Sequence, residues 1–368
     1  MAARPPAGQP ATTEGATGRT TSLHVARRAG VSQTTVSLVL NGGGGKAGLS
    51  PATQEKVRQA AAELGYTPNN AARNLRRQRT GNLTFLCPDL GNPYFAEVIG
   101  AAQAAAAEGG YLLDIIAAQD EAAKLQAIAR LRGGISDGVI TTAPTTAIWD
   151  ALRDLSARGI ACVTLQDRGD DPAIPAVGVD LEAGGHAATR HLLALGHRRI
   201  AHVSGRQSFP LRARERVHGY RRALEEAGLA PDAASIVEVP NSMAGGAEAV
   251  AQLLARGTPL PEALFVFNDN MAIGALHALH RAGLRVPGDI AVVGFDGVSL
   301  GAFSTPMLTT VEHPRAELGR LAAESVMARL NDPARPAPGA LLPGRLVVRE
   351  SCGARGAAET GKGGARAA

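Results

Sequence analysis

Residues 25–42 read VARRAGVSQTTVSLVLNG. Upstream, Leu23, Val25 and Ala26 begin a short helix, and Gly30 follows it as a helix stop. Ser32 is a good N-cap for a second helix, Gln33 to about Leu40, which Asn41-Gly42 ends. Val31, Val36 and Val39 can share a small core. Further on, Ser50-Pro51 supplies an N-cap and an N1 proline for a third helix. Val57, Ala60, Ala61 and Leu64 form its stripe, and Gly65 stops it. Three short helices, the first two joined by a tight glycine-containing turn, make a helix-turn-helix unit.

The charge of the 368-residue chain is unevenly placed. Residues 1–80 carry 11 Lys and Arg against 3 Glu, a balance of +8, while the other 288 residues balance at −3. A basic head on a slightly acidic body is expected to meet a polyanion. Residues 1–19 are mostly Pro, Gly, Thr and Ala and read as a disordered lead, and residues 354–368 as a frayed tail. No run of 18 apolar residues exists, so no membrane span is expected. The N-terminus lacks the apolar stretch of a secretory signal. Cys87, Cys162 and Cys352 are far apart and odd in number, which suits small packing residues in a reducing cytoplasm better than a disulfide framework or a metal pair. No metal and no cofactor is expected.

After Thr80 the texture alternates. Apolar runs at 83–88, 111–117, 138–143, 161–166, 199–205, 263–268 and 290–296 read as strands separated by helical stretches. The pattern predicts an α/β fold with parallel sheets covered by helices. Some 270 residues exceed what one such sheet needs, so two lobes with a cleft between them are expected.

The quoted head, followed by SPATQEKVRQAAAELGYTPNNAARNLRRQRTG, resembles the lac/gal repressor (LacI/GalR) family. So do LCPDLGNPYFAEVIGAAQAAAAEGGY, VGVDLEAGGHAATRHLLALGHRRIAHVSG, RERVHGYRRALEEAGL, FNDNMAIGALHAL, VPGDIAVVGFDG and TPMLTTVEHP. They occur in the family's order across residues 21–353. The resemblance implies a helix-turn-helix DNA-binding domain over 20–68, a hinge helix over 69–80 and an effector-binding and dimerisation core over 81–353. That core would be two-lobed and shaped like periplasmic sugar-binding proteins. Lobe 1 would comprise about 81–180 and 314–340, and lobe 2 about 181–313 and 341–353. The implied partners are palindromic double-stranded operator DNA, a small effector and a second copy of the chain, in the cytoplasm at the nucleoid, with no membrane.

A recognition helix presents its N-terminal residues to base edges in the major groove. Here those are Gln33, Thr34 and Ser37, with Leu38 next; Thr35 is expected to face phosphate or to cap locally. Leu38 stands where many relatives carry Arg, and it cannot donate to guanine. His24 stands where an acidic residue is common. The loop 41–49 (NGGGGKAGL) brushes against a phosphate-loop pattern, but Ala47 follows Lys46, so a flexible loop over the DNA backbone is expected. In the hinge, the resemblance makes Leu75 a minor-groove wedge, with Asn74 beside it and Arg73, Arg76, Arg77 and Arg79 on phosphates.

By residue-by-residue match, the effector would meet Tyr94 and Phe95 as a platform, together with Asp167, Arg216, Asn268, Asp296 and His313. Asn268 and Asp296 follow strands, where open sheets put ligands. Asp269 is expected to cap the next helix and leave Asn268 for the ligand. No nucleophile, metalloprotease, Walker or Rossmann pattern is correctly placed, so an enzyme is not expected. An exported transport receptor of the same core fold would have no reason to carry residues 21–80. One short recognition helix reads only a half-site, so a homodimer is expected.

Overall fold

Helix α1, Ser22–Ala29, ends at Gly30, whose φ of 68° lies in the left-handed region that glycine reaches without a Cβ penalty. At its start the His24 Nδ1 accepts the Thr21 amide at 3.2 Å, so an imidazole does the local capping that a carboxylate would do. Helix α2, Gln33–Leu40, is capped by Ser32, whose Oγ accepts the Thr35 amide at 3.1 Å. Helix α3, Pro51–Glu63, is capped by Ser50, whose Oγ accepts the Thr53 amide at 3.2 Å. Val25, Ala26, Val36, Val39, Val57, Ala60 and Ala61 close the small core, with Val31 and Leu64 partly buried against it.

The computed structural model describes residues 20–40, 44–45, 47–66, 79–142, 145–166, 171–206, 210–256, 259–332 and 339–354. The chain divides into two units, 1–78 and 79–368. The expected lead, tail residues 355–368 and hinge residues 69–78, including Arg73, Asn74, Leu75, Arg76 and Arg77, lie outside the described residues. Of the loop 41–49, the described part is a hydrogen-bonded turn. Leu49 N bonds Gly44 O, and Gln54 Nε2 donates to the Leu49 carbonyl at 2.9 Å.

The second unit holds two six-stranded sheets. The first contains β1 (Asn82–Cys87), β2 (Leu112–Ala117), β3 (Gly138–Thr142), β4 (Ala161–Leu165), β5 (Ala176–Val179) and β11 (Ala340–Leu342), in the order β11-β5-β4-β3-β1-β2. The second contains β6 (Ile200–Arg206), β7 (Ile236–Pro240), β8 (Ala263–Val266), β9 (Ala291–Asp296), β10 (Thr309–Glu312) and β12 (Arg345–Val347), in the order β12-β10-β9-β8-β6-β7. All paired strands run parallel except β10 with β12. The last crossing between lobes falls after Leu342, because β11 pairs with β5 over Ala340–Leu342. A break after residue 340 would cut that strand.

Alternation within the strands builds both layers of each lobe. Leu83, Phe85, Ile140 and Val163 face α4 (Pro93–Glu108) and α11 (Arg315–Asn331). Leu86, Val139 and Cys162 face α5 (Glu121–Leu131) and α6 (Thr146–Ala157). In lobe 2, Ile200, Phe265 and Phe295 face α7 (Leu181–Ala194) and α8 (Pro210–Glu226). Val203, Leu264 and Val292 face α9 (Met243–Ala255) and α10 (Asp269–Arg281). Strands buried on both faces read as continuous apolar runs, which is why most were visible in the sequence. All three cysteines are free and buried.

Glycines let the helices of a layer touch backbone to backbone. A Cβ at Gly319 on α11 would run into the Val98 carbonyl oxygen of α4 and stand 2.9 Å from the Ala102 amide nitrogen. Gly319→Ala is therefore expected to lower stability by about 2–3 kcal/mol, because backbone cannot yield as a flexible side chain can. Urea unfolding checks it; an unchanged midpoint would refute the contact.

Among the described residues, no helix is long and apolar enough to cross a membrane, and no cluster of His, Cys, Asp or Glu could hold a metal.

Candidate functional site

Helix α2 buries Val36 and Val39 and turns Gln33, Thr34, Ser37 and Leu38 outward. These four lie at i, i+1, i+4 and i+5, so they share one exposed face. Thr35 belongs to the cap: its Oγ1 lies 2.9 Å from the Ser32 Oγ. Gln33 Nε2 donates one of its two hydrogens to the Ser22 Oγ of α1 at 2.7 Å, which ties the carboxamide to α1. Arg28 is paired with Glu63 on α3 at 2.7 Å. Arg79, expected on phosphate, is instead an anchor in lobe 1. It bonds the Tyr111 hydroxyl at 3.1 Å and the Leu330 carbonyl.

The second constellation forms where the C-terminal ends of the lobe-2 strands meet the crossing at 313–314. Arg216 rises from α8 and is only 5% exposed. Its guanidinium carbon lies 4.2 Å from the Phe267 ring centre and 4.4 Å from that of Phe295. A planar cation suits such faces and keeps its edge for polar contact. That edge stands 3.6 Å from the carboxylate of Asp296, the last residue of β9. The His313 ring lies 3.7 Å from the same carboxylate oxygen and edge-on to Phe295 at 4.9 Å. Asp296 has a φ of 103°, a left-handed value that turns the backbone sharply at the strand end.

The lobe-1 wall reaches this group through Tyr94, whose ring centre is 5.8 Å from that of His313. Phe95 packs edge-on behind Tyr94 at 5.2 Å. The Tyr94 hydroxyl accepts a bond from Gln166 Nε2 at 3.1 Å, and the Gln166 Oε1 accepts the Val179 amide at 2.9 Å. Gln166 was not anticipated, although its place at the end of the run ACVTLQ could have flagged it. Asp167 lies outside the described residues.

Asn268 corrects an expectation. It, not Asp269, is the N-cap of α10: its Oδ1 accepts the Met271 amide at 2.9 Å. Its Nδ2 donates to Asn241 Oδ1 at 2.7 Å, which brings in a second carboxamide that sequence reasoning missed. Asp269 is fully buried and accepts bonds from Thr310 Oγ1 at 2.6 Å and the Val298 amide at 2.8 Å. Burial, then the nearby Asp296 charge, push its carboxyl up to about 8. Behind the cleft, His202 stacks between Tyr220 and Phe265 and meets the Phe265 carbonyl through Nδ1 at 3.0 Å. Burial holds its imidazole down to about 3.

A separate cavity of about 350 Å³ lies at the opposite end of β6, beside Arg199, Tyr220 and Arg256. Arg199 there is paired with Glu262 and Arg256 with the Ala234 carbonyl.

Residues 23–69 match the family described as bacterial regulatory proteins, lacI family, and residues 189–352 a periplasmic binding protein-like domain. The HTH-type transcriptional regulator DegA of Bacillus subtilis (strain 168) is 34% identical over 339 residues, 90% of this chain and 98% of that protein. The chain belongs to the lacI family. A lac repressor dimer bound to operator and an anti-inducer superposes with a TM-score of 0.80 at 30% identity, over 91% of this chain and 99% of that one. The complex of the transcriptional regulator CelR with cellobiose superposes with a TM-score of 0.68 at 30% identity, over 90% and 100%. Regulators, not enzymes, are thus the relatives of this lacI-family chain.

Proposed function

We propose that the chain is a transcriptional repressor that binds a palindromic operator as a homodimer in the cytoplasm, at the nucleoid. A small polar effector, a sugar or sugar derivative, controls its affinity. The observation that carries this reading is the convergence of Arg216, Asp296 and His313 at strand ends. Guanidinium and carboxylate edges suit vicinal hydroxyls, and Tyr94 with Phe95 adds an aromatic wall for an apolar sugar face. Asn268 and Asn241 add carboxamides, and Asp167 a further carboxylate.

On the DNA side, Gln33, Thr34, Ser37 and Leu38 read the major groove, with Thr35 at the helix start. Leu75 enters the minor groove with Asn74 beside it, and Arg73 and Arg76 meet the flanking phosphates. Leu38 on the exposed face replaces a guanine donor with an apolar contact suited to a thymine methyl. A second copy would cover the exposed apolar side chains Leu112 and Ile115 on edge strand β2, and Leu300 and Phe303 on lobe 2.

Selection of bound duplexes from a random double-stranded library by the full chain tests the reading. It is expected to enrich a two-fold palindrome whose affinity falls by roughly 1,000-fold between 50 and 200 mM salt, as phosphate contacts release counterions. Asymmetric enrichment, or affinity indifferent to salt, would overturn it. A thermal-shift screen of sugars on the same protein identifies the effector.

A further inference from the structure

The carboxylate of Asp296 faces the cleft, but its main-chain carbonyl is held from the other lobe. Arg315, the first residue of α11, is 8% exposed and donates through Nη1 to the Asp296 carbonyl at 2.6 Å. Through Nε it donates to Glu97 on α4 at 2.8 Å. Helix α11 belongs to lobe 1: Gly319 abuts the Val98 carbonyl, and Leu318 and Ala322 sit in the core that α4 shares. The guanidinium is therefore rooted in lobe 1 and grips lobe 2 through Nη1, chiefly at the Asp296 carbonyl and also at the His313 carbonyl, 3.4 Å away. The His313 amide donates to the same carbonyl at 3.2 Å.

A residue at φ 103° persists only where its surroundings over-determine it. Two donors on one carbonyl do that here. Any movement of Asp296 must swing this carbonyl, and a swing breaks a charge-assisted bond whose other end is Glu97. Coupling between distant sites requires such an element with two discrete arrangements, bond made or bond broken.

We propose that Arg315 is the positioning residue that couples the state of Asp296 to helix α4 of lobe 1, with Glu97 as its fixed end. The functional half of this rests on Asp296 facing the effector. The mechanical half does not, and it can be tested without any ligand.

The test is amide hydrogen exchange on the full-length, ligand-free protein, read at His313, Gly297 and Val298. The His313 amide bonds the gripped carbonyl, and Val298 is bonded to Asp269 immediately beyond it. Strand β8 serves as the internal control. Glu97→Gln changes a side chain that is 42% exposed and keeps its size, so folding is preserved. It is expected to raise exchange at the three reporters by about ten-fold, with β8 unchanged. Arg315→Ala should raise it at least as much, Arg315→Lys should restore part of the protection, and the Arg315→Ala/Glu97→Gln double variant should be no worse than Arg315→Ala. Reporter exchange at the wild-type rate in Glu97→Gln would overturn the link, as would a rise spread equally over β8. Failure of the effector reading would look different: no sugar would alter operator binding while this exchange coupling stayed intact.

Discussion

Arg216→Ala is expected to abolish the effector response while operator binding without effector is retained. The guanidinium is buried between two phenyl rings and stands beside the Asp296 carboxylate, so a ligand hydroxyl placed there meets a donor and an acceptor at once. Truncating a buried, hydrogen-bonded charge at a binding site costs about 2–5 kcal/mol of affinity, roughly 1.5 to 3.5 decades in the effector concentration required. Arg216→Lys keeps the charge but loses the flat stacking surface, and should fall between the two. Anisotropy of a labelled operator, titrated with the sugar that shifts the wild-type melting point, reads the effect. Full release of operator by Arg216→Ala at the wild-type concentration would remove Arg216 from the site. Because the substitution also empties space between Phe267 and Phe295, Asp296→Asn is the control. It keeps the volume, and it should weaken the response by a similar factor.

The two periodicities made most of the architecture readable. Strands such as LTFLC and AVVGFD are apolar throughout because helices cover both faces, and the helix caps Ser32 and Ser50 act as their residue types suggest. The short strands β5, β7, β10, β11 and β12 were not read as strands. Each has three to five residues, and β11 and β12 are edge strands with mixed burial, so neither length nor alternation sets them apart from loop. Arg216 and His313, expected from motif order in one site with Asp296, stand 3.6 and 3.7 Å from the same Asp296 carboxylate oxygen in the structure. The cap falls on Asn268 rather than Asp269, which sequence cannot decide because an Asn-Asp pair offers two equally good caps. What decides between them is tertiary: Thr310 and the turn at Val298 claim the Asp269 carboxyl. Gln166 and Arg315 act on partners distant in sequence, Tyr94 and Asp296, and no local pattern marks such pairings.

Two buried titratable groups behind the cleft should give opposite pH dependences of stability. His202 is held down to about 3 in the folded chain, against an ordinary 6.5. Between those values the unfolded chain binds a proton that the folded chain excludes, so its contribution is lost as pH falls. Asp269 is pushed up to about 8 against an ordinary 3.8, so between those values the folded carboxyl keeps a proton that the unfolded chain has released. Its contribution is lost as pH rises. From about pH 4 to 6.5 the two slopes cancel, and above 6.5 Asp269 acts alone. From this pair the wild-type protein is expected to lose about 1 kcal/mol between pH 6.5 and 8. Asp269→Asn should remove that decline, because a carboxamide can accept the Val298 amide and donate to the Thr310 Oγ1, reversing that bond, and does not titrate. His202→Gln should unmask the Asp269 slope on the acid side, making the protein more stable at pH 4 than at pH 6.5 by about 3 kcal/mol relative to the wild-type difference. Urea unfolding at pH 4, 6.5 and 8 measures all three proteins. An Asp269→Asn variant that declines with pH as steeply as the wild type would show that this carboxyl is already ionised at neutral pH. The turn after Asp296 would then be anchored at Val298 by a carboxylate rather than by a neutral carboxyl.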